Sequence, residues 1–308
     1  MSTSNDPVTL PPPAPNQAYT IVSALEAGVL DLPPHLFAAD VSKDEKIPTC
    51  PSLSFLLKHS KTGEKVVFDL GIRKDISKFT PPIMNLVNGV MPINVPQDAA
   101  DSLAKGGVPP ETIKTIIVSH AHFDHVGDHT LFPNATFILG EGADLALSTP
   151  YPADPSSIVI PDSFPPDRTK FLERSAFSDS LAGFPAAYDY FQDGSLYIID
   201  SPGHFPGHIN VLARTSPNGS WIYLAGDTCH DLRLLRGEKE IFYETDLHGN
   251  ICNCFHKNKE AAAEHIRRVG ALNKTKGVHV LIAHDWQWYE KNKGGPVFFP
   301  GSIPAASL

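Results

Sequence analysis

The chain has 308 residues, 42% of them hydrophobic and 19% charged, with a formal net charge of −9. That balance fits a globular protein with a real core, and without a run of Lys or Arg it argues against a nucleic-acid partner. No apolar run approaches the length of a membrane span, so no membrane partner is expected.

Met1 to Asn16 is polar and proline-rich and lacks the charged start and apolar core of a secretion signal. Residues 1–17 are therefore expected to form a flexible arm, and residues 18–308 a single domain. Four cysteines are no disulfide framework in a chain this long, which points to reduced thiols and a cytoplasmic setting. Residues 19–25 read as the first strand, and residues 26–50, with Pro33, Pro34 and Pro48, as irregular. Residues 52–58 and 65–70 predict a hairpin joined by Ser60-Lys61-Thr62-Gly63. Residues 72–96 are apolar but broken by prolines, which predicts either a packed helix or a lid over a pocket. Residues 97–105 predict a short helix stopped by Gly106-Gly107.

The β-branched run at 115–118 predicts a buried strand leading into His120-Ala121-His122-Phe123-Asp124-His125. In extended chain, residues two apart point the same way, so His120 and His122 are expected to project together. Asp124 and His125 follow once the chain turns and face a neighbouring point. Two pairs of ligands can begin two adjacent metal sites. Imidazole with carboxylate suits two Zn²⁺ ions, with Mn²⁺, Fe²⁺ or Co²⁺ also compatible.

Residues 136–139 predict another strand, and residues 148–185 a long loop of the functional or disordered kind. Residues 195–200, 208–214 and 220–225 predict an antiparallel meander, residues 260–272 an amphipathic helix, and residues 278–283 a last strand. Strand groups separated by helices predict a sheet-on-sheet core covered by helices. Three further ligand spots follow predicted strands: the turn from Ser201 to His208, Gly226-Asp227-Thr228, and His284-Asp285.

Together, His120-x-His122-x-Asp124-His125, Pro202-Gly203-His204-Phe205-Pro206-Gly207-His208, Gly226-Asp227-Thr228 and Ala283-His284-Asp285 resemble the metallo-β-lactamase superfamily over residues 50–290. Order and spacing are similar to its lactonase and glyoxalase-II-like members. The resemblance implies a four-layer αββα sandwich of α/β (α+β) class with the site at one edge. It implies one metal on His120, His122 and His204, a second on Asp124, His125 and His284, and Asp227 as the bridge. His208 matches a position behind the ligands, and Asp69 an acidic residue that orients a ligand or bridging water. Many lactonases of the family carry a tyrosine three residues past the bridging aspartate, where this chain has His230. An imidazole there either polarises the substrate carbonyl or protonates the leaving group, or simply packs.

The implied reaction is attack of a metal-bound hydroxide on a cyclic ester, amide or carbamate, with Asp124, Asp227 and His230 carrying the chemistry. The apolar segments at 72–96 and 148–185 suggest an apolar or aromatic small molecule as substrate. The rival is a glyoxalase-II-like thioesterase acting on a glutathione thioester, for which only Lys291 and Lys293 follow the last ligand. No serine-hydrolase elbow and no nucleotide-binding loop is present. His35, His59, His129, His248, His256, His265 and His279 have no placement that points to the site, Cys252 and Cys254 read as loop thiols or metal ligands, and Trp286 and Trp288 as pocket wall or packing.

Overall fold

The computed structural model describes residues 8–308; residues 1–7 of the expected arm lie outside the described residues. The first half of the chain runs β1 (Thr20–Leu25), β2 (Val29–Asp31), β3 (Thr49–Pro51), β4 (Ser54–His59), β5 (Lys65–Phe68), α1 (Pro81–Gly89), β6 (Ile93–Asn94), α2 (Ala99–Lys105), β7 (Thr115–Ile117), β8 (Thr136–Gly140), α3 (Ala143–Ser148) and β9 (Thr169–Leu172). The second half runs β10 (Asp179–Leu181), β11 (Phe184–Asp189), β12 (Leu196–Asp200), β13 (Ile209–Arg214), β14 (Trp221–Leu224), α4 (Leu232–Arg236), β15 (Glu244–Thr245), β16 (Ile251–Asn253), α5 (Lys259–Asn273), β17 (Val278–Leu281) and α6 (Trp286–Asn292).

Two six-stranded sheets result, in the orders β1-β4-β5-β7-β8-β9 and β10-β11-β12-β13-β14-β17. Strand alternation explains their stacking. Phe55, Leu57, Val66 and Phe68 of the first sheet meet Ile209, Val211, Ile222 and Leu224 of the second in one inter-sheet core. Leu56, Val67 and Ile116 point the other way, to a core shared with α1 and α2. Leu212, Trp221 and Tyr223 point outward from the second sheet to α4 and α5. The four layers are helix, sheet, sheet, helix. Direct connections join the antiparallel pair β4 and β5 and the antiparallel succession from β10 to β14, while β5, β7, β8 and β9, and likewise β14 and β17, run parallel and so need crossovers. The ligand segments exit β7, β12, β14 and β17 at one edge. Among the described residues no helix is long and apolar enough to cross a membrane.

Several expectations change. Residues 26–50 are not wholly irregular: β2 pairs with β3 and β6 in a small three-stranded sheet. Of the two readings for 72–96, packing wins, because Ile83 and Val87 of α1 are buried in the core beneath the first sheet. The supposed loop at 148–185 carries β9 and β10, short edge strands whose backbone groups are satisfied by β8 and β11. Its Val159, Ile160 and Phe164 are core residues. Helix α6 follows the last ligand, capped by Asp285, which accepts from the Trp288 amide. Within the expected arm, Val8 and Leu10 pack on the core beneath α5, and Arg214 donates to the Pro11 carbonyl.

Candidate metal centre

Strand β7 ends at Ile117, so the His120–His125 run lies in a loop rather than on extended strand. The two rings meet nonetheless: His120 Nε2 is 2.8 Å from His122 Nδ1. His204 arrives from the turn after β12, its Nε2 3.2 Å from His120 Nε2 and 3.1 Å from His122 Nδ1. That turn needs Gly203, whose φ of +129° and contact with the backbone of Ala262 leave no room for a Cβ. Asp124, His125 and His284 form a second group at similar spacing. Asp227 stands between the two. Its Oδ1 is 3.2 Å from both His125 Nε2 and His284 Nε2, and its Oδ2 is 3.4 Å from His204 Nε2 and 3.6 Å from His120 Nε2. All seven residues sit together; Cys252 and Cys254 join no ligand cluster among the described residues.

In His120, His125 and His284 the ring nitrogen turned away from the centre is held by a neighbour. Ser119 Oγ meets His120 Nδ1 at 3.0 Å, Asp69 Oδ2 meets His125 Nδ1 at 2.8 Å, and the Pro51 carbonyl accepts from His284 Nδ1 at 2.8 Å. A proton fixed on Nδ1 leaves Nε2 bare for a metal. Asp69 also accepts from the Ser119 amide at 2.6 Å, and Ser52 Oγ donates to the Asp124 carbonyl. His208 is buried away from the ligand cluster: its Nδ1 donates to the Ser201 carbonyl at 3.0 Å and its Nε2 accepts from the Asp227 amide at 3.2 Å. Behind it, Asn210, Tyr223, Thr228 and His265 form a buried polar network.

Burial keeps His120, His122 and His204 neutral, with pKa values well below the ordinary imidazole value. Burial acts the same way on His125, but Asp227, Asp69 and Asp124 outweigh it and raise its pKa well above the ordinary value. His284 is raised too, by Asp227 and Asp124 against the same burial. Burial opposes the charge of Asp227, yet His125, His284 and His230 hold its pKa well below the usual carboxylate range. The residues present fit two cations: Asp227 Oδ1, His125 Nε2 and His284 Nε2 are buried, adjacent and without hydrogen-bond partners. A cation there meets the demand for positive charge and displaces protons from the histidines.

His230 stands at the centre as expected, but bound to it. Its Nε2 is 3.0 Å from Asp227 Oδ2, and its ring lies between Phe37, stacked at 4.5 Å, and His284, at 5.6 Å. Both His230 and His284 reach a cavity of about 670 Å³ walled by Leu32, Phe37, Ile47, Ile282 and Trp286. Trp288 turns instead to Phe298, at 5.8 Å. His256 carried no signal in the sequence, because no predicted strand ends there. The fold brings it beside the centre, its ring 5.2 Å from that of His204, since the Lys257 and Asn258 amides donate to the His204 and Gly203 carbonyls. His59 is elsewhere, paired with Asp193 at 2.9 Å.

Residues 47–215, more than half of the chain, match the family model described as the Metallo-beta-lactamase superfamily. Over 98% of its length the chain is 29% identical to Cytochrome P450 monooxygenase mpaDE of Penicillium roqueforti (strain FM164), of which it spans 37%. It thus spans about a third of the length of the first curated relatives it matches. It is 30% identical to Metallo-hydrolase mfmC of Annulohypoxylon moriforme, over 91% of this chain and 83% of that relative. It is 34% identical to Gamma-lactamase FDB1 of Fusarium pseudograminearum (strain CS3096), over 58% of this chain and 45% of that relative. Among solved structures, an N-acyl homoserine lactone hydrolase with the product N-hexanoyl-L-homoserine at its catalytic metal center superposes with a TM-score of 0.66, covering 93% of this chain and 100% of that one at 18% identity, a likeness of fold. By its family model and its relatives, the chain belongs to the metallo-β-lactamase superfamily.

Proposed function

We propose that this protein is a metal-dependent hydrolase that opens a small cyclic ester, amide or carbamate, and that its ions are two zincs. One observation carries the reading: Asp227 presents one oxygen to each of two ligand triads, beside a cavity large enough for a ring-sized molecule. Three imidazoles with a carboxylate, and two imidazoles with two carboxylates, suit Zn²⁺ better than a hard cation. Bound there, two divalent cations supply Lewis-acid polarisation of the carbonyl and a water acidified toward neutrality.

The chain's own residues do the rest. Asp227 and Asp124 balance the cationic charge and fix the spacing of the two triads. Leu32, Phe37 and Ile282 give an apolar or aromatic substrate an apolar wall, in a cavity also lined by Glu45, Arg233, Arg236 and Glu290. His230, at the junction of cavity and centre, hands a proton from Nε2 to the leaving oxygen or nitrogen as the ring opens. The resemblance to Gamma-lactamase FDB1 supports a cyclic substrate. A glutathione thioesterase finds less support, because Lys293, one of its two candidate cations, is paired with Glu290 at 2.7 Å. Four free cysteines, two of them buried, support a reducing cytoplasmic location.

The test is a hydrolysis screen across lactones, lactams, cyclic carbamates and glutathione thioesters, with and without a chelator. Turnover of a cyclic substrate that the chelator abolishes and zinc restores is the expected result. Chelator-resistant turnover, or turnover of thioesters alone, would sink the reading.

A further inference from the structure

The Nδ1 atoms of His120, His125 and His284 meet Ser119, Asp69 and Pro51, but the outward nitrogens of His122 (Nε2) and His204 (Nδ1) are buried without a hydrogen-bond partner among the described residues, and only His204 has further imidazoles in the same condition beside it. Beside His204 lie His230 and His256, and the Nδ1 atom of each is buried and partnerless in the same way. A buried imidazole nitrogen with nothing to bind carries a desolvation penalty, so three on neighbouring rings call for a common partner.

The rings are spaced for one. Their centres lie 5.0 Å (His204 to His230), 5.2 Å (His204 to His256) and 5.9 Å (His230 to His256) apart. The triad of His120, His122 and His204 shows 4.4, 4.7 and 4.8 Å. Three imidazoles on one tetrahedral ion, with bonds of about 2.0–2.1 Å, hold their ring centres roughly 5 Å apart. One nitrogen from each of His204, His230 and His256 lies within 4.8 Å of the other two.

We propose that His204, His230 and His256 form a third transition-metal site, filled when metal exceeds the two equivalents of the neighbouring centre, and that filling it inhibits the enzyme. An all-imidazole donor set suits Cu²⁺, Ni²⁺ and Zn²⁺ and rejects Mg²⁺ and Ca²⁺. His204 gives Nε2 to the first triad, so the third ion takes Nδ1 and that proton leaves to water. Two cations sharing one imidazole repel each other, which makes the third the weakest bound. Occupancy also draws His230 away from the substrate. The inhibition rests on the hydrolase reading; the binding does not.

Equilibrium dialysis against graded free Zn²⁺, with metal counted per chain by elemental analysis, tests this. Wild type should hold two equivalents at low free zinc and take up a third at higher zinc, with hydrolysis of the best substrate falling as the third site fills. His256→Ala should stop at two equivalents and lose the zinc inhibition, while His256→Cys should regain the third. His256→Gln, closer in size, serves if the alanine variant fails to melt cooperatively. Cu²⁺ added to the two-zinc protein should give an electron paramagnetic resonance signal with nitrogen hyperfine structure that the alanine and glutamine variants lack. Saturation of wild type at two equivalents, or a third equivalent held as tightly by His256→Ala, would overturn the proposal. Wild type that binds no metal would overturn the dinuclear reading as well.

Discussion

Asp69 Oδ2 lies 2.8 Å from Nδ1 of His125, while the opposite nitrogen of the same ring lies 3.2 Å from Asp227 Oδ1. Asp69 is 1% exposed and has a φ of +58°, a conformation that asparagine tolerates and most residues do not. Asp69→Asn therefore keeps the backbone while offering His125 a neutral neighbour, which frees the imidazole to carry its proton on Nε2. A loss of about 10–100-fold in affinity for the second metal is expected, read by competition with a chelator. Unchanged affinity would mean that Asp69 does not orient the ligand.

The two histidines of the glycine-rich turn are expected to separate. His204 faces the centre, whereas both nitrogens of His208 are spent on Ser201 and the Asp227 amide. His204→Ala and Asp227→Ala should lower metal content below two equivalents and abolish turnover. His208→Ala should lose far less metal, and its effect should appear as reduced thermal stability. Equal metal loss in both histidine variants would place His208 among the ligands.

His230→Ala should lose roughly 10²–10⁴-fold in kcat on the best substrate, the usual range for removing a general acid, with the two equivalents of the dinuclear centre retained at low free zinc. A ring nitrogen must be protonated on leaving, so His230→Tyr should keep more activity on lactones than on lactams. Near wild-type turnover by His230→Ala would reduce His230 to packing between Phe37 and His284.

Stability should fall on the acid side. Burial pushes the pKa of His265 down to about 3 and that of His208 down to about 4, against an ordinary value of 6.5. The folded values lie below the unfolded one, so the unfolded chain binds more protons once the pH drops through 6.5. Stability is then lost with falling pH until the folded value is reached, by up to about 1.4 kcal/mol per pH unit for each histidine. His265→Gln, which keeps a polar partner for Asn210 without titrating, should flatten the slope of denaturation free energy between about pH 6.5 and pH 5. An unchanged slope would show that His265 gains its proton without unfolding.

The residues of the centre and the main strands were legible in the chain because their signals are local. The ligand run sits a few residues past a β-branched strand, and the later candidates each follow a predicted strand, so spacing marked the spots, while the resemblance to the family divided them between two metals and chose His204 over His208. Short apolar runs bounded by turn residues likewise placed β4, β5, β13 and β14. What depended on partners distant in sequence was decided only by the tertiary structure. β2, β9 and β10 are too short to show periodicity, and they exist because a neighbouring strand satisfies their backbone. The choice between packed helix and lid for α1 needed the core that Ile83 and Val87 enter. His256 lies 52 positions from His204, and two backbone hydrogen bonds carry its segment to the centre. The division of the Asp227 oxygens between two triads belongs to the fold for the same reason: four separate strand exits must meet at one edge before a single carboxylate can face both.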